Sequence, residues 1–285
     1  MGSRAEIVLL GDSITEQSFR DGGWGATLAN AYSRKADILV RGYGGYNTKW
    51  ALFLLHHIFP LGSPKPPIAT TIFFGANDAA LLGRTSERQH VPIEDYKQNL
   101  RKIVLHLKAQ SSSTLWFFFF FAFCVNFCNW LRSSPFFVSL ILPVGGKIWE
   151  YSPSMQIVLI TPPPVSEEGR QRYAESLYGE NAMKLPERTN EVTGQYAKAC
   201  VEIAKEMSVW YINLWPKMQE TDGWQDKFLS DGLHLTPEGN TVVYQEVIKV
   251  FNEAGLSADK MPLDFPHHSQ IDGKNPEIAF QQQGL

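Results

Sequence analysis

Four short segments of this chain carry side chains able to do polar chemistry together. Ser13 stands in Gly11-Asp12-Ser13-Ile14-Thr15, directly after the apolar run Ile7 to Leu10. A hydroxyl is a weak nucleophile until a base takes its proton. A strand-to-helix turn would expose it and set developing negative charge near a helix N-terminus. Taken alone, Ser13 or Asp12 serves equally well as the cap of the next helix. His234 closes Asp231-Gly232-Leu233-His234, ahead of Leu235-Thr236-Pro237. A spacing of three lets the aspartate turn back onto the imidazole, hold its tautomer and stabilise the imidazolium formed when a serine gives up its proton. An Asp-Gly turn with an exposed histidine reads the same. Asn77, in Gly75-Ala76-Asn77-Asp78, offers an amide that can donate to an oxyanion. Gly42-Tyr43-Gly44-Gly45-Tyr46-Asn47 offers backbone N–H groups that approach a substrate closely because glycine has no side chain. Each of these two blocks is, by itself, an ordinary turn.

The elements that would have to position them follow a regular alternation. Apolar runs at Ile7 to Leu10, Ile38 to Val40, Ile68 to Phe74, Ile157 to Ile160 and Trp210 to Ile212 read as strands. Helical spacing follows at Ala26 to Ser33, in the segment TKWALFLLHHIF, at Ile93 to Leu107, from Glu187 to Met207 and from Pro237 to Phe251. Continuous rather than alternating apolar strands suit a sheet covered on both faces. Strands alternating with helices imply a parallel sheet with right-handed crossovers. Functional loops in such sheets lie at the carboxyl ends of the strands. Every motif above except DGLH directly follows a strand, so the motifs are expected to converge. The Phe, Leu and Trp positions of TKWALFLLHHIF are expected to form a core face.

Composition narrows the function classes. The chain has 285 residues, 44% hydrophobic and 19% charged, and a net charge of −3. That length supports one sizeable core, and the balance gives no electrostatic case for nucleic acid or an anionic membrane. Cys124, Cys128 and Cys200 form neither a disulfide framework nor a zinc pattern, which points to a reducing, cytoplasmic setting. The apolar stretch near the N-terminus is too short for a signal-peptide core. His56-His57 and His267-His268 lack a carboxylate or cysteine at ligand spacing, so no metal and no cofactor are expected. Nothing in the sequence bears on oligomeric state.

One stretch breaks the alternation. Residues from about Ser112 to Ser152 are rich in phenylalanine and separate a helix from the strand it should feed, where about 2–6 residues normally suffice. Leu115 to Leu131 is uncharged but short for a membrane span and carries Asn126 and Asn129. A membrane-associating or lid-like hairpin is a second reading. The preferred reading is an insertion foreign to the domain, such as translated intron sequence, because its removal leaves a compact domain with short loops. The expected layout is a single domain over 5–256, interrupted at about 112–152, with a polar tail over 257–285.

The ordered set GDS, a glycine-rich second block, GxND and a late DxxH resembles the four signature blocks of the SGNH, or GDSL, hydrolases. The stretches GGWGATLANAYSRKADILVRGYGGYNTKWA and TIFFGANDAALLGR are most similar to the isoamyl acetate-hydrolysing esterase branch and its plant GDSL relatives. The resemblance runs from Ile7 to about Ala254, outside the insert. It implies a flavodoxin-like three-layer αβα sandwich with a mainly parallel five-stranded sheet. It also implies roles: Ser13 the nucleophile, His234 the base, Asp231 its orienter, and Ser13, Gly45 and Asn77 the oxyanion donors. Val40 and Gly44 occupy positions where the family's second block commonly has Asn and Ser, which bears on the choice between Gly44 and Gly45. The G-x-S-x-G elbow of lipase-type α/β-hydrolases is absent, since Thr15 replaces its second glycine.

The expected activity is therefore hydrolysis of small, acetate-type carboxylic esters, with a small-molecule ester as partner, no nucleic acid, and no membrane unless the insert is native. Glycan O-acetyl esterase or acyl-transfer activity would use the same residues. An inactive scaffold that binds an ester or glycan is the rival class.

Overall fold

The computed structural model describes residues 4–110 and 155–281. The insert expected at 112–152 lies outside the described residues. Among these, five strands form one parallel sheet: β1 (Ala5–Gly11), β2 (Ala36–Gly42), β3 (Ala69–Phe73), β4 (Gln156–Ile160) and β5 (Trp210–Ile212), in the order β2-β1-β3-β4-β5. The helices in chain order are α1 (Ser13–Glu16), α2 (Trp24–Ala31), α3 (Thr48–Ala51), α4 (Leu55–Ile58), α5 (93–110), α6 (Glu167–Tyr178), α7 (Asn190–Glu206), α8 (Leu214–Gln219), α9 (Trp224–Phe228), α10 (Pro237–Glu253) and α11 (Glu277–Gln281).

The continuous apolar strands have a direct cause. Successive strand side chains alternate between faces, and both faces here are covered. Ile7 and Leu9 of β1, with Phe73, Val158, Ile160 and Ile212, pack against Trp24 and Leu28 of α2 and against Val243, Val247 and Phe251 of α10. Val8 and Leu10, with Ile72, Ile157 and Leu159, pack against Leu100, Ile103, Val104 and Leu107 of α5 and against Tyr196, Cys200 and Ile203 of α7. The polar residues in the centre of a strand are Thr70 and Thr71 of β3, both fully buried.

The strand order reverses between β1 and β3: from β1 the chain goes to one side for β2 and returns to the other for β3. In open parallel sheets a crevice forms at such a point, outside the carboxyl ends of the two strands. Asp12 follows β1 and its N–H reaches the Phe73 carbonyl at 3.3 Å; Tyr43, after β2, donates to the Gly11 carbonyl at 2.9 Å. The GDS, GYGGYN and GAND segments therefore leave the sheet side by side.

Two expectations need correction. The segment TKWALFLLHHIF is not one helix with a buried aromatic face. Between α3 and α4 the bonding tightens to i−3, with Phe53 N to Trp50 O at 3.1 Å and Leu54 N to Ala51 O at 3.0 Å, and such a turn rotates the following side chains. Ala51, Leu55 and Phe59 are buried, whereas Trp50 is half-buried and Phe53 is 76% exposed. Secondly, α7 starts at Asn190 and not at Glu187, because the Thr189 hydroxyl caps it by accepting from Val192 N at 3.2 Å. Glu187 and Arg188 are thereby left outside the helix. The segment after Ser257, expected as a tail, folds back over the surface: Asp264 pairs with Arg4 and Arg34, and Arg34 donates to the carbonyls of Phe265 and Pro266.

Candidate active site

Ser13 is the first residue of α1, whose cap is Asp12; the Asp12 Oδ1 accepts from Ile14 N at 3.0 Å. That bond fixes the turn and leaves the Ser13 side chain directed away from the sheet, half-buried. The other oxygen, Asp12 Oδ2, is buried without a partner among the described residues. Burial pushes the Asp12 carboxyl up to about 6, against the opposing pull of the Ile14 N–H, His234 and Arg188.

The DGLH loop is closed on itself before it meets the serine. Leu229 and Leu235 form an antiparallel bridge, Ser230 N donates to the His234 carbonyl at 2.8 Å, and Gly232 takes a φ of +82°, a conformation open to glycine at little cost. Asp231 Oδ1 accepts from Leu233 N at 3.0 Å and His234 N at 2.8 Å. Its Oδ2 lies 2.8 Å from His234 Nδ1. On the far side of the ring, His234 Nε2 lies 2.9 Å from Ser13 Oγ. An ionised Asp231 makes Nδ1 the protonated nitrogen, so Nε2 is left as an acceptor facing the hydroxyl. Burial on its own would raise the Asp231 carboxyl; the hydrogen bonds and charge of His234, with the Arg170 charge, hold it well below the usual carboxylate range.

The second and third blocks contribute N–H groups. Gly44 N donates to Glu16 Oε2 at 2.6 Å, whereas the N–H groups of Gly45 and Ser13 have no hydrogen-bond partner among the described residues. Asn77 is buried, and its amide is held from two sides: Nδ2 donates to the Tyr46 carbonyl at 2.9 Å, and Oδ1 accepts from Arg188 Nη2 at 3.0 Å. Opposite partners on the two ends fix which atom is nitrogen. Nδ2 keeps a second hydrogen to give. Behind Asn77, the buried Asp78 accepts from Thr48 N at 3.0 Å and from the Thr48 hydroxyl. Burial lifts its carboxyl to about 7, the Thr48 bonds opposing.

All five residues singled out in the sequence thus stand at one end of the sheet, and Ser13, His234 and Asp231 are joined in one hydrogen-bonded line. Sequence reasoning missed what surrounds them. Arg170, Glu187 and Arg188 form ion pairs around Asp231 and Asn77. In the sequence they look like the solvated charges of a loop and a helix start. No local pattern marks them, because Arg170 meets Glu187 and Asp231, and Arg188 meets Ala76, Asn77 and Gln89, only in the folded chain. Tyr46 and Trp50, with Phe53, Leu54 and Arg88, line a shallow groove next to the Gly45 turn; Arg88 sits over the Trp50 ring at 5.9 Å.

Comparison with known proteins shows the family. The model of the family described as GDSL-like lipase/acylhydrolase matches residues 7–247. A GDSL esterase/lipase of Arabidopsis thaliana is 61% identical over 99% of this chain and 100% of its own. An isoamyl acetate-hydrolyzing esterase 1 homolog of Bos taurus is 34% identical over 98% of this chain and 92% of its own. Among solved structures, the lipase/acylhydrolase from Enterococcus faecalis superposes with a TM-score of 0.56 at 18% identity, covering 91% of this chain and 98% of that one; that likeness concerns the fold. The chain belongs to the GDSL-like lipase/acylhydrolase family, and is a carboxylic ester hydrolase.

Proposed function

We propose that the protein hydrolyses small, acetate-type esters in two acyl-transfer steps. The observation that carries this reading is the line Ser13 Oγ–His234 Nε2 at 2.9 Å and His234 Nδ1–Asp231 Oδ2 at 2.8 Å. In the first step His234 Nε2 takes the Ser13 proton as Oγ bonds to the ester carbonyl carbon. The carbonyl oxygen becomes an oxyanion, held by the N–H groups of Ser13 and Gly45 and the free hydrogen of Asn77 Nδ2. Each such donor contributes roughly 3–4 kcal/mol to the transition state in related chemistry. His234 then gives its proton to the departing alcohol, leaving an acyl-serine. Water attacks by the same route, and the acid is released. Asp231 stays a carboxylate throughout.

The groove formed by Tyr46, Trp50, Phe53, Leu54 and Arg88 supports a short apolar group on one side of the ester, since Tyr46 adjoins both Gly45 and Asn77. Sparse cysteine usage supports a cytoplasmic setting. No helix among the described residues is long and apolar enough to cross a membrane.

The test is hydrolysis of p-nitrophenyl acetate by wild type and Ser13→Ala, with circular dichroism to verify folding. Turnover is expected to vanish in the variant, and Ser13 is expected to be the residue labelled by a fluorophosphonate probe. Undiminished turnover would remove Ser13 from the mechanism, and a wild type inert to both reagents would make the chain a binding scaffold.

A further inference from the structure

We infer that Arg170, Glu187 and Arg188 form a charged strut that positions the two halves of the catalytic apparatus against each other, with Arg188 setting the Asn77 amide and Arg170 the Asp231 carboxylate. The inference rests on the esterase reading above and names positioning residues for it.

The strut is continuous. Arg170 Nη1 donates to Asp231 Oδ2 at 3.0 Å and to the Asp231 carbonyl at 3.2 Å. The Oδ2 atom is the one His234 Nδ1 meets, so the guanidinium acts on the same oxygen that orients the imidazole. Arg170 Nη2 and Nε both reach Glu187 Oε1, at 2.6 and 3.0 Å. Arg188 Nη1 donates to that same Oε1. The other branches of Arg188 reach the Ala76 carbonyl from Nε at 2.7 Å and, from Nη2, Asn77 Oδ1 at 3.0 Å and the Gln89 side chain. From Asp231 to Asn77 the charges run minus, plus, minus, plus, and end on a neutral amide.

Its placement separates it from ordinary surface ion pairing. The Arg170, Glu187 and Asp231 side chains are 10–14% exposed and Arg188 only 3%. Burial lowers the Arg188 guanidinium, and the Glu187 charge opposes that. Asp231 and Asn77 come from different loops and have no direct bond to each other among the described contacts. Arg188 donating to Oδ1 also fixes Nδ2 as the end that meets the Tyr46 carbonyl and, by drawing electron density toward the amide oxygen, strengthens Nδ2–H as a donor. Both Glu187 oxygens are occupied, Oε2 by the hydroxyls of Ser86 and Thr85, so the middle of the strut is anchored to a third loop.

The decisive measurement is a pair of double-mutant cycles on p-nitrophenyl acetate turnover. Arg188→Lys keeps a cation opposite Glu187 but loses the planar fork that spans Ala76, Asn77 and Gln89. Its kcat is expected to fall at least about tenfold with KM within about threefold, because an oxyanion donor acts in the transition state. Combined with Asn77→Ala, it is expected to lie within about threefold of Asn77→Ala alone, since the amide it positions is gone. Arg170→Gln against Asp231→Asn is expected to behave in the same non-additive way, and decides the matter if Arg188→Lys does not fold. Fold-losses that multiply in the cycle, or an Arg188→Lys kcat within about twofold of wild type, overturn the strut while leaving the esterase reading intact. If instead Asn77→Ala leaves kcat unchanged, or the wild-type activity survives Ser13→Ala, the esterase reading falls and the strut's catalytic role with it.

Discussion

At the residue scale, Asp231 orients His234 through Nδ1 and is itself pinned by two backbone N–H groups and Arg170. Asp231→Asn would preserve shape but present an N–H or a weaker acceptor to Nδ1, favouring the wrong tautomer. A loss of roughly 10³–10⁴ in kcat is expected, together with a lowered melting temperature because Arg170 loses its carboxylate partner, as read from steady-state kinetics and a melting curve. The two glycines of the second block should respond differently. Gly45 sits at φ +78°, so Gly45→Ala is strained by about 1 kcal/mol and shifts a free N–H. Its kcat should drop roughly tenfold or more, since small misplacements at a reacting centre are costly. Gly44 donates to Glu16 instead, and Gly44→Ala should cost less in kcat; the reverse ranking would exchange their roles. Asp78 gives a pH signature. Its carboxyl is pushed up to about 7 by burial, so the folded chain keeps a proton that the unfolded chain releases above about 4. Stability should therefore decline as pH rises from about 4 to about 7. Asp78→Asn should flatten that decline, seen as a smaller fall in Tm between pH 5 and 8 than wild type shows.

Elements place these residues through their ends. Asp12 caps α1, Asn47 caps α3 and Thr236 caps α10, so three of the four functional loops finish in a side chain that accepts a helix N–H. Thr236 sits two residues after His234; its Oγ1 accepts from Gly239 N at 3.1 Å and donates to the Lys227 carbonyl at 2.6 Å. Thr236→Ala should destabilise the protein by about 1 kcal/mol in urea titration. Its effect on kcat should be small, because the 229–235 loop is closed by its own backbone bonds. Asn47 is more demanding: Oδ1 caps Trp50 N at 2.9 Å while Nδ2 donates to the Gln89 carbonyl at 2.9 Å. The cap on α7 matters in a different way. Because Thr189 begins that helix, Glu187 and Arg188 are free to turn inward, a placement that apolar periodicity alone does not distinguish from one more helical turn.

For the whole molecule, the site exists because the sheet reverses its strand order between β1 and β3, which opens a crevice where two strand ends diverge. The 4–110 and 155–281 segments supply both strands and both helical layers around it. A crossover helix returns the chain to the amino end of the sheet, and the end of α5 and the start of β4 are both tied there: Gln110 donates to the Pro60 carbonyl at 3.5 Å and Gln156 N to the Ile68 carbonyl at 2.9 Å, just ahead of β3. Replacing 112–152 by a short glycine-serine linker is accordingly expected to give a folded chain with undiminished p-nitrophenyl acetate turnover; loss of the fold would make the stretch part of the domain.

What the sequence determined by itself was local: strand runs apolar on both faces, helix spacing, capping residues, and short motifs that keep their chemistry within three to five neighbours. GDSIT, GAND and DGLH could be picked out because each is contiguous, and each must fold against its own backbone in much the same way wherever it stands. Tertiary structure decided the pairings between distant residues. Ser13 and His234 are 221 positions apart and Arg188 and Asn77 are 111 apart, and no periodicity encodes such a meeting. It also decided that Glu16 takes the Gly44 N–H and leaves that of Gly45 free, and that Trp50 and Phe53 line a groove rather than the core. These outcomes depend on which surfaces come together when two sheet faces are buried at once, and a one-dimensional pattern records only that a residue is apolar or charged, not what it will touch.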